Sequence, residues 1–365
     1  MWDYDTFAEE ARGRDDTVGT LLGIYRPYPP LYYEKRIEIM RSKIAANPED
    51  ADAYDNMAVA YARLNRPDEA LAAIESKKTA IGATPGTTPD WYRFYSNRGS
   101  FYLMKWAGSK DRKAALPVLD KGISDIENAL KIDVNAHFGR ERFQLAYMKW
   151  LRERTLKPSP PSQSPEFKET LFSRWLEDHG SGTRLETEIA LAGLIRLGTA
   201  WENADIAEAL HETIIDDKLN SIAELSRSRL YDIQAINPKS SYTGSKLVAE
   251  GVGIPPDGTL QLVRDLQREA MTYLISRDQF ITSQIKAGKH PDTDEKFWER
   301  APAAKFDYGP DGRLMRFVRI DSWNATYVVL AVIGLLHLAW VILFKLGRFI
   351  HRRINRRRIP PIVTP

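Results

Sequence analysis

The sequence contains no cysteine, which excludes disulfide frameworks, thiolate metal sites and cysteine nucleophiles. Its six histidines include no pair with the spacing of metal ligands on one helix, and His211-Glu212 lacks the second histidine of an HExxH zinc motif. Walker A, kinase and GxSxG signatures are absent as well. We therefore predict no metal and no cofactor, and we assign no catalytic residue.

A large excess of one charge is also missing. The chain carries 52 basic and 49 acidic residues, a net charge of +3, which argues against nucleic acid as a partner. The basic excess is confined to residues 345–365, which hold seven Lys or Arg and no acid, while the first 344 residues have a net charge of −4. This tail is predicted to bind anionic lipid headgroups, at about 1 kcal/mol per basic residue, or to act only as a topology signal.

One long apolar run lies near the C-terminus. Residues 325–344, ATYVVLAVIGLLHLAWVILF, contain no charged side chain, and twelve of the twenty are Leu, Ile, Val or Phe. A helix of this length covers about 30 Å, the thickness of a hydrocarbon core. Those twelve residues contribute roughly −4 to −7 kcal/mol to membrane insertion. The sequence therefore predicts a single transmembrane helix over residues 325–344.

The flanking charges predict the orientation of this helix. Seven basic residues follow it, whereas Arg313, Arg316 and Arg319 precede it, partly offset by two aspartates. By the positive-inside rule the tail is cytoplasmic and the N-terminal body is periplasmic. This topology requires an export signal, and the polar start MWDYDTFAEEARGRDD has none, so we expect the native signal to be missing from this chain. The competing topology, a tail-anchored protein that faces the cytoplasm, would move seven cations across the bilayer.

Before the apolar run, β-branched residues hardly ever alternate with polar ones. Apolar positions recur instead at spacings of three and four between short Pro, Gly or Asn breaks, so the predicted fold class is all-α. The predicted domains are an N-terminal extension (1–30), helical repeats (31–155), a Pro/Ser linker (156–166), a second helical block that ends in a long helix (167–300), a juxtamembrane segment (301–324), the span and the tail.

The clearest repeat is a predicted helix hairpin over residues 47–78. Large residues share one face of its first helix, a small alanine lets a neighbour approach, and Asn65-Arg66-Pro67 makes the turn. The pattern resembles the tetratricopeptide repeat (TPR) family, which implies stacked helix hairpins. The residues that fill the family's packing places are Tyr54, Met57, Ala58, Tyr61, Ala70 and Ile74.

A second, degenerate unit begins near residue 90. Gly99, Tyr102 and Ala129 fit the family's packing pattern, but Gly122 replaces a packing alanine and about eleven extra residues separate the two helices. A first helix of a third unit is predicted over residues 136–151. The overall layout, a TPR array followed by a late single span, resembles bacterial membrane-anchored TPR proteins.

In TPR proteins the first helices of the units line a groove that binds peptides. The resemblance implies such a groove here, with Asn56, Arg93, Asn97 and Arg140 as its candidate residues. In one subset of the family, asparagine and a basic residue hold a terminal carboxylate, which an arginine grips with two parallel hydrogen bonds. Asp52 stands where that subset has a lysine and would repel a carboxylate.

The preferred interpretation is a membrane-anchored TPR-type scaffold or adaptor that binds a protein or peptide partner through this groove. Two alternatives stay open: an enzyme with an acid/base site in the 185–237 block, and a structural homo-oligomer. A compact pocket with strongly displaced carboxylate or histidine pKa values would favour the enzyme, whereas an open groove with ordinary pKa values would favour the scaffold.

Overall fold

The computed structural model of the protein describes residues 15–82, 88–135, 139–161, 164–180, 182–198, 200–216, 220–244, 246–249 and 259–303. These residues form α-helices and short 3-10 turns, and no strand occurs among them, so the all-α prediction is confirmed. Within these ranges, every helix is too short or too polar to cross a membrane. The predicted span 325–344 and the basic tail lie outside the described residues.

In the first half of the chain, each long helix packs against the next. The helices are α1 (Asp15–Leu21), α2 (Pro30–Ala46), α3 (Ala51–Arg63), α4 (Pro67–Ser76), α5 (Lys78–Ile81), α6 (Pro89–Ala107), α7 (Leu116–Ile132) and α8 (Arg140–Leu156). The pairs α3/α4 and α6/α7 correspond to the two predicted repeat units, and α8 corresponds to the predicted first helix of the third.

The second half contains the helices α9 (Phe172–His179), α10 (Arg184–Leu197), α11 (Ala204–Asp216), α12 (Asn220–Ile236) and α13 (Thr259–Lys286). Its 3-10 turns are Pro165–Thr170, Ala200–Glu202 and Phe297–Arg300. A complete capping box begins α10, because Thr183 and Glu186 satisfy each other's backbone amides. The long helix α13 matches the one that the sequence predicts before residue 300.

Local signals define the α3/α4 hairpin. The Asp50 carboxylate accepts a hydrogen bond from the amide of Ala53 at 3.0 Å and begins α3. Asn65 takes a left-handed conformation with φ 56°, and Pro67 begins α4 without the amide hydrogen that the first turn leaves unpaired. The predicted packing residues Tyr54, Ala58, Tyr61, Ala70 and Ile74 are buried, and Met57 is half-buried.

Two glycines allow α6 and α7 to touch. A Cβ added at Gly99 would lie 3.0 Å from the carbonyl oxygen of Gly122, and one added at Gly122 would lie 2.9 Å from that of Gly99. An alanine at either position would therefore separate the helices. The glycine at 122 is thus part of a paired helix crossing. Tyr102 is half-buried beside this crossing, and Ala129 is fully buried on α7.

Helices on both sides of the Pro/Ser segment share one hydrophobic core. The ring of Phe172 on α9 lies 5.0 Å from that of Tyr147 and 5.5 Å from that of Trp150, both on α8. The same core extends to Leu191 on α10 and Leu210 on α11. Residues 156–166 therefore do not separate two cores.

The C-terminal part of the described chain packs against its N-terminal part. Arg277 on α13 donates hydrogen bonds to the carbonyl oxygens of Ile24 at 3.1 Å, Arg26 at 3.0 Å and Pro27 at 3.2 Å. Arg36 on α2 forms a bidentate ion pair with Asp292, with distances of 2.6 and 2.7 Å. The long helix α13 and the segment that follows it therefore contact the N-terminal part of the described chain.

Candidate functional site

Arg93, the central candidate of the predicted groove, is surrounded by carboxylates of its own chain. Its guanidinium lies 2.5 Å from Asp90, 3.0 Å from Asp52 and 3.5 Å from Asp55. Asp52, the residue expected to repel a carboxylate ligand, is therefore one of its ion-pair partners. A terminal carboxylate of a peptide would have to compete with three aspartates for this arginine.

Asn97 belongs to the same network. Its side-chain amide donates to Asp55 at 3.1 Å, and Asp55 also pairs with the fully buried ammonium of Lys77 at 2.5 Å. Burial raises the pKa of Asp55, while Lys77, Arg93 and Asn97 act in the opposite direction. Asn97 therefore joins α6 to the hairpin before it.

Asn56 and Arg140 make other contacts. The exposed amide of Asn56 donates to the carbonyl oxygen of Asp52, one turn earlier, at 2.9 Å. Arg140 pairs with the buried carboxylate of Glu141 at 2.6 Å, and Glu141 also accepts a hydrogen bond from Tyr92. Three of the four predicted groove residues are thus engaged by acids of this chain.

Three exposed apolar side chains lie on α10, a helix that packs against α8. They are Leu185, Ile189 and Leu197, which are 46, 41 and 43% exposed; Leu185 and Ile189 lie one turn apart, and Leu197 follows about two turns later. A Cβ added at Gly193 would lie 3.7 Å from the aliphatic part of Arg140 on α8. We call these three leucine and isoleucine side chains the α10 stripe.

Arg63 fixes the end of this helix. The guanidinium of Arg63, at the end of α3, donates to the carbonyl oxygens of Leu197 at 2.8 Å and Gly198 at 2.5 Å. It thereby satisfies carbonyl groups that a helix C-terminus leaves unpaired. The C-terminal end of α10 is therefore held at the end of α3. Sequence reasoning did not find the α10 stripe, because α10 is apolar on its buried side too and shows no clear periodic pattern.

The 185–237 block contains buried acids. Asp205 accepts hydrogen bonds from Ser241 Oγ at 2.6 Å and from the amide of Tyr242 at 2.8 Å, and burial raises its pKa to about 6. Glu208 accepts one from Ser173 Oγ at 2.7 Å, and burial raises its pKa to about 8. Their exposed fractions are 1% and 2%, so both carboxyl groups are sealed from solvent.

We predict that Glu208→Gln makes the protein more stable above neutral pH. The unfolded carboxyl titrates near its ordinary value of 4.5, and the folded one near 8. Between these values the unfolded chain has released a proton that the folded chain keeps, so stability falls by up to about 1.4 kcal/mol per pH unit. Glutamine imitates the protonated acid and removes this decline. Asp205 adds a decline of the same sign between 3.8 and about 6.

Urea unfolding of the full chain in detergent, followed by circular dichroism across this pH window, measures the effect. The exposed Glu269 on α13 provides a matched control. Glu269→Gln should leave the fall of the unfolding free energy with pH unchanged. If the free energy of unfolding fell equally with pH in wild type and in Glu208→Gln, Glu208 would be ionised in the folded protein.

Among the described residues, no group of three or more His, Asp or Glu side chains converges on a point that would hold a metal ion. Comparisons with models of protein families, with curated proteins and with solved structures each found no match.

Proposed function

We propose that the protein is a membrane-anchored helical adaptor that binds a segment of a partner protein along the α10 stripe. The observation that carries this proposal is three large apolar side chains on one helix, each more than two fifths exposed, two of which lie one turn apart. Single exposed apolar residues are normal on protein surfaces, whereas neighbouring ones such as Leu185 and Ile189 are typical of an interaction site.

The contacts around the stripe favour an amphipathic partner segment. Leu185 and Ile189 are one helical turn apart, so an apolar side chain of the partner would bury both of them together. Arg93 and Arg140 are already neutralised by Asp and Glu side chains. Recognition would therefore depend on apolar burial rather than on a terminal carboxylate.

A photo-crosslinking experiment in native membranes tests this proposal. Benzoylphenylalanine placed at Ile189 should give an adduct with a partner protein. The second change Leu185→Asp should reduce that adduct about tenfold or more, because a charge in a buried interface is left without a partner. Benzoylphenylalanine at Met271, which is 51% exposed on α13, serves as the matched control. The proposal fails if Ile189 and Met271 give the same adducts.

Specific observations also favour the two alternatives. For an enzyme, burial raises the pKa values of Asp205 and Glu208, as it can in an acid/base site, although neither group reaches the surface. For a homo-oligomer, Met271 and Ile275 form an exposed apolar pair one turn apart on the long helix. An adduct from Met271 with the mass of two chains would support that assembly.

The proposed anchor is the apolar run 325–344, with the cationic tail on the cytoplasmic side. The support for it is the length of the run, its lack of charge and the seven basic residues that follow. An adaptor held at the membrane in this way would present its helical body to partners in the envelope.

A further inference from the structure

A cavity of about 230 Å³ lies where the loop after α6 meets the end of α8. Its wall contains Trp106, Arg112, Arg154, Thr155, Ser159 and Tyr242. The loop that supplies Arg112 spans residues 108–115. It belongs to the extra residues that separate the two helices of the second predicted unit. None of the proposed partner-binding residues lines this cavity, so it is a separate feature.

Two arginines give the cavity a positive wall. The side chain of Arg112 is held by a hydrogen bond from its Nε to the carbonyl oxygen of Ala107 at 3.3 Å, and among the described residues its two terminal nitrogens have no hydrogen-bond partner. Arg154 pairs with Glu153 at 2.5 Å through one terminal nitrogen, but its buried Nε has no partner within the described chain. Among the lining residues that the structure describes, none carries a carboxylate.

A hydroxyl group adds a further donor. Ser159 Oγ is buried at the cavity wall and, within the part of the chain that is described, makes no hydrogen bond. An unpaired buried hydroxyl costs about 1–3 kcal/mol, so an acceptor atom of a ligand at this place would be stabilising. The cavity thus offers two guanidinium groups and a free hydroxyl, more donors than one carboxylate accepts.

Aromatic rings form the rest of the wall. The rings of Trp106 and Tyr242 are stacked with centroids 5.8 Å apart, and the guanidinium of Arg112 lies 4.5 Å from the centre of Tyr242. The indole of Trp106 donates to the carbonyl oxygen of Arg112 at 2.9 Å, which fixes the loop. The buried carboxylate of Asp205 accepts hydrogen bonds from Ser241 Oγ and from the Tyr242 amide, and the charge of Arg112 acts on it electrostatically.

We propose that this cavity binds a small phosphate monoester, with the phosphate between Arg112 and Arg154 and its organic group against Tyr242. A phosphate oxygen accepts from Ser159 Oγ, and the other oxygens accept from the two guanidinium groups. The volume leaves room for a small organic group beside the phosphate. The phosphate belongs either to a soluble ester or to a lipid headgroup, which present the same chemistry to these residues.

Isothermal titration of the full chain in detergent tests the assignment with phenyl phosphate as the probe. We expect binding that weakens about tenfold or more in Arg112→Gln and Arg154→Gln, and about threefold in Ser159→Ala. Ser159→Ala removes one hydroxyl from the wall, so its fold should be unaffected. Arg152→Gln is the matched control on the same helix, since Arg152 is 45% exposed and pairs with Asp120; its affinity should equal that of wild type.

Two further probes define the ligand class. Dihexanoyl phosphatidic acid that binds tighter than phenyl phosphate supports a lipid headgroup, and weaker binding supports a soluble ester. Benzoate that binds as tightly as phenyl phosphate would overturn the assignment of a phosphate. Absence of phenyl phosphate binding, or equal affinities in Arg112→Gln and Arg152→Gln, would overturn the site itself.

Discussion

Lys77→Met is expected to lower the free energy of unfolding by about 3–5 kcal/mol, the cost of breaking a buried ion pair by removing one partner. Lys77 is fully buried between α4 and α5. Its ammonium lies 2.5 Å from Asp55 and 3.2 Å from the carbonyl oxygen of Asp90. Methionine keeps the length of the side chain, so the loss measures the charge and its hydrogen bonds rather than a cavity.

The destabilisation should depend on pH. Burial raises the pKa of Asp55, and Lys77 is the strongest of the groups that oppose this rise. Without Lys77 the folded carboxyl should therefore titrate still further above its unfolded value, and the variant should lose stability as the pH rises through that range. We expect the gap between wild type and Lys77→Met to widen as the pH rises from the acid range, because the ionised Asp55 then lacks its buried partner.

Urea unfolding of the full chain, followed by far-UV circular dichroism, measures this gap. Lys78→Met is the control, because Lys78 is 38% exposed and forms a surface pair with Glu75, worth about 1 kcal/mol or less. The double variant Asp55→Asn with Lys77→Met should recover more than half of the loss, since no unpaired charge is left. A loss within about 1 kcal/mol of that in Lys78→Met would contradict the role given to the Lys77 pair.

The sequence predicts the parts of the fold that depend on local signals. The hairpin α3/α4 follows from a capping aspartate, an asparagine that tolerates a left-handed turn and a proline at the start of the next helix. The long helix α13 follows from its apolar periodicity. Such signals lie within a few residues of the structure that they specify, so a single sequence reveals them.

The charge network around Arg93 was not predictable in the same way. Helical spacing places Arg93 one turn before Asn97, which suggests a clamp, but Asp52 and Asp55 reach it from the preceding hairpin. Only the packing of α3 against α6 brings these acids to the arginine. The contact of Arg277 with the backbone of residues 24–27, about 250 positions away, is invisible to periodicity for the same reason.

The paired changes Leu335→Arg and Leu338→Arg should release the protein from membranes. Each arginine at the centre of a span costs about 2.5–3.5 kcal/mol, and each leucine removed forfeits about 0.3–0.6 kcal/mol. Together these changes cancel the roughly −4 to −7 kcal/mol that the apolar residues of 325–344 contribute. Carbonate extraction should leave wild type in the membrane pellet and the double variant in the supernatant.

The control replaces the same two leucines with phenylalanine, which is as favourable as leucine in a span and should leave the protein in the pellet. Protease added outside spheroplasts tests the orientation: it should digest the helical body and spare an epitope on the basic tail. The reverse digestion pattern would place the body in the cytoplasm. Wild type in the supernatant after carbonate extraction would contradict the proposed membrane anchor. Because the seven tail cations oppose transfer of the tail, an anchored protein that retains its tail inside must carry the α10 stripe and the phosphate cavity to the other side. On this proposed topology, the proposed partner and the proposed phosphate ester would both be sought in the periplasm.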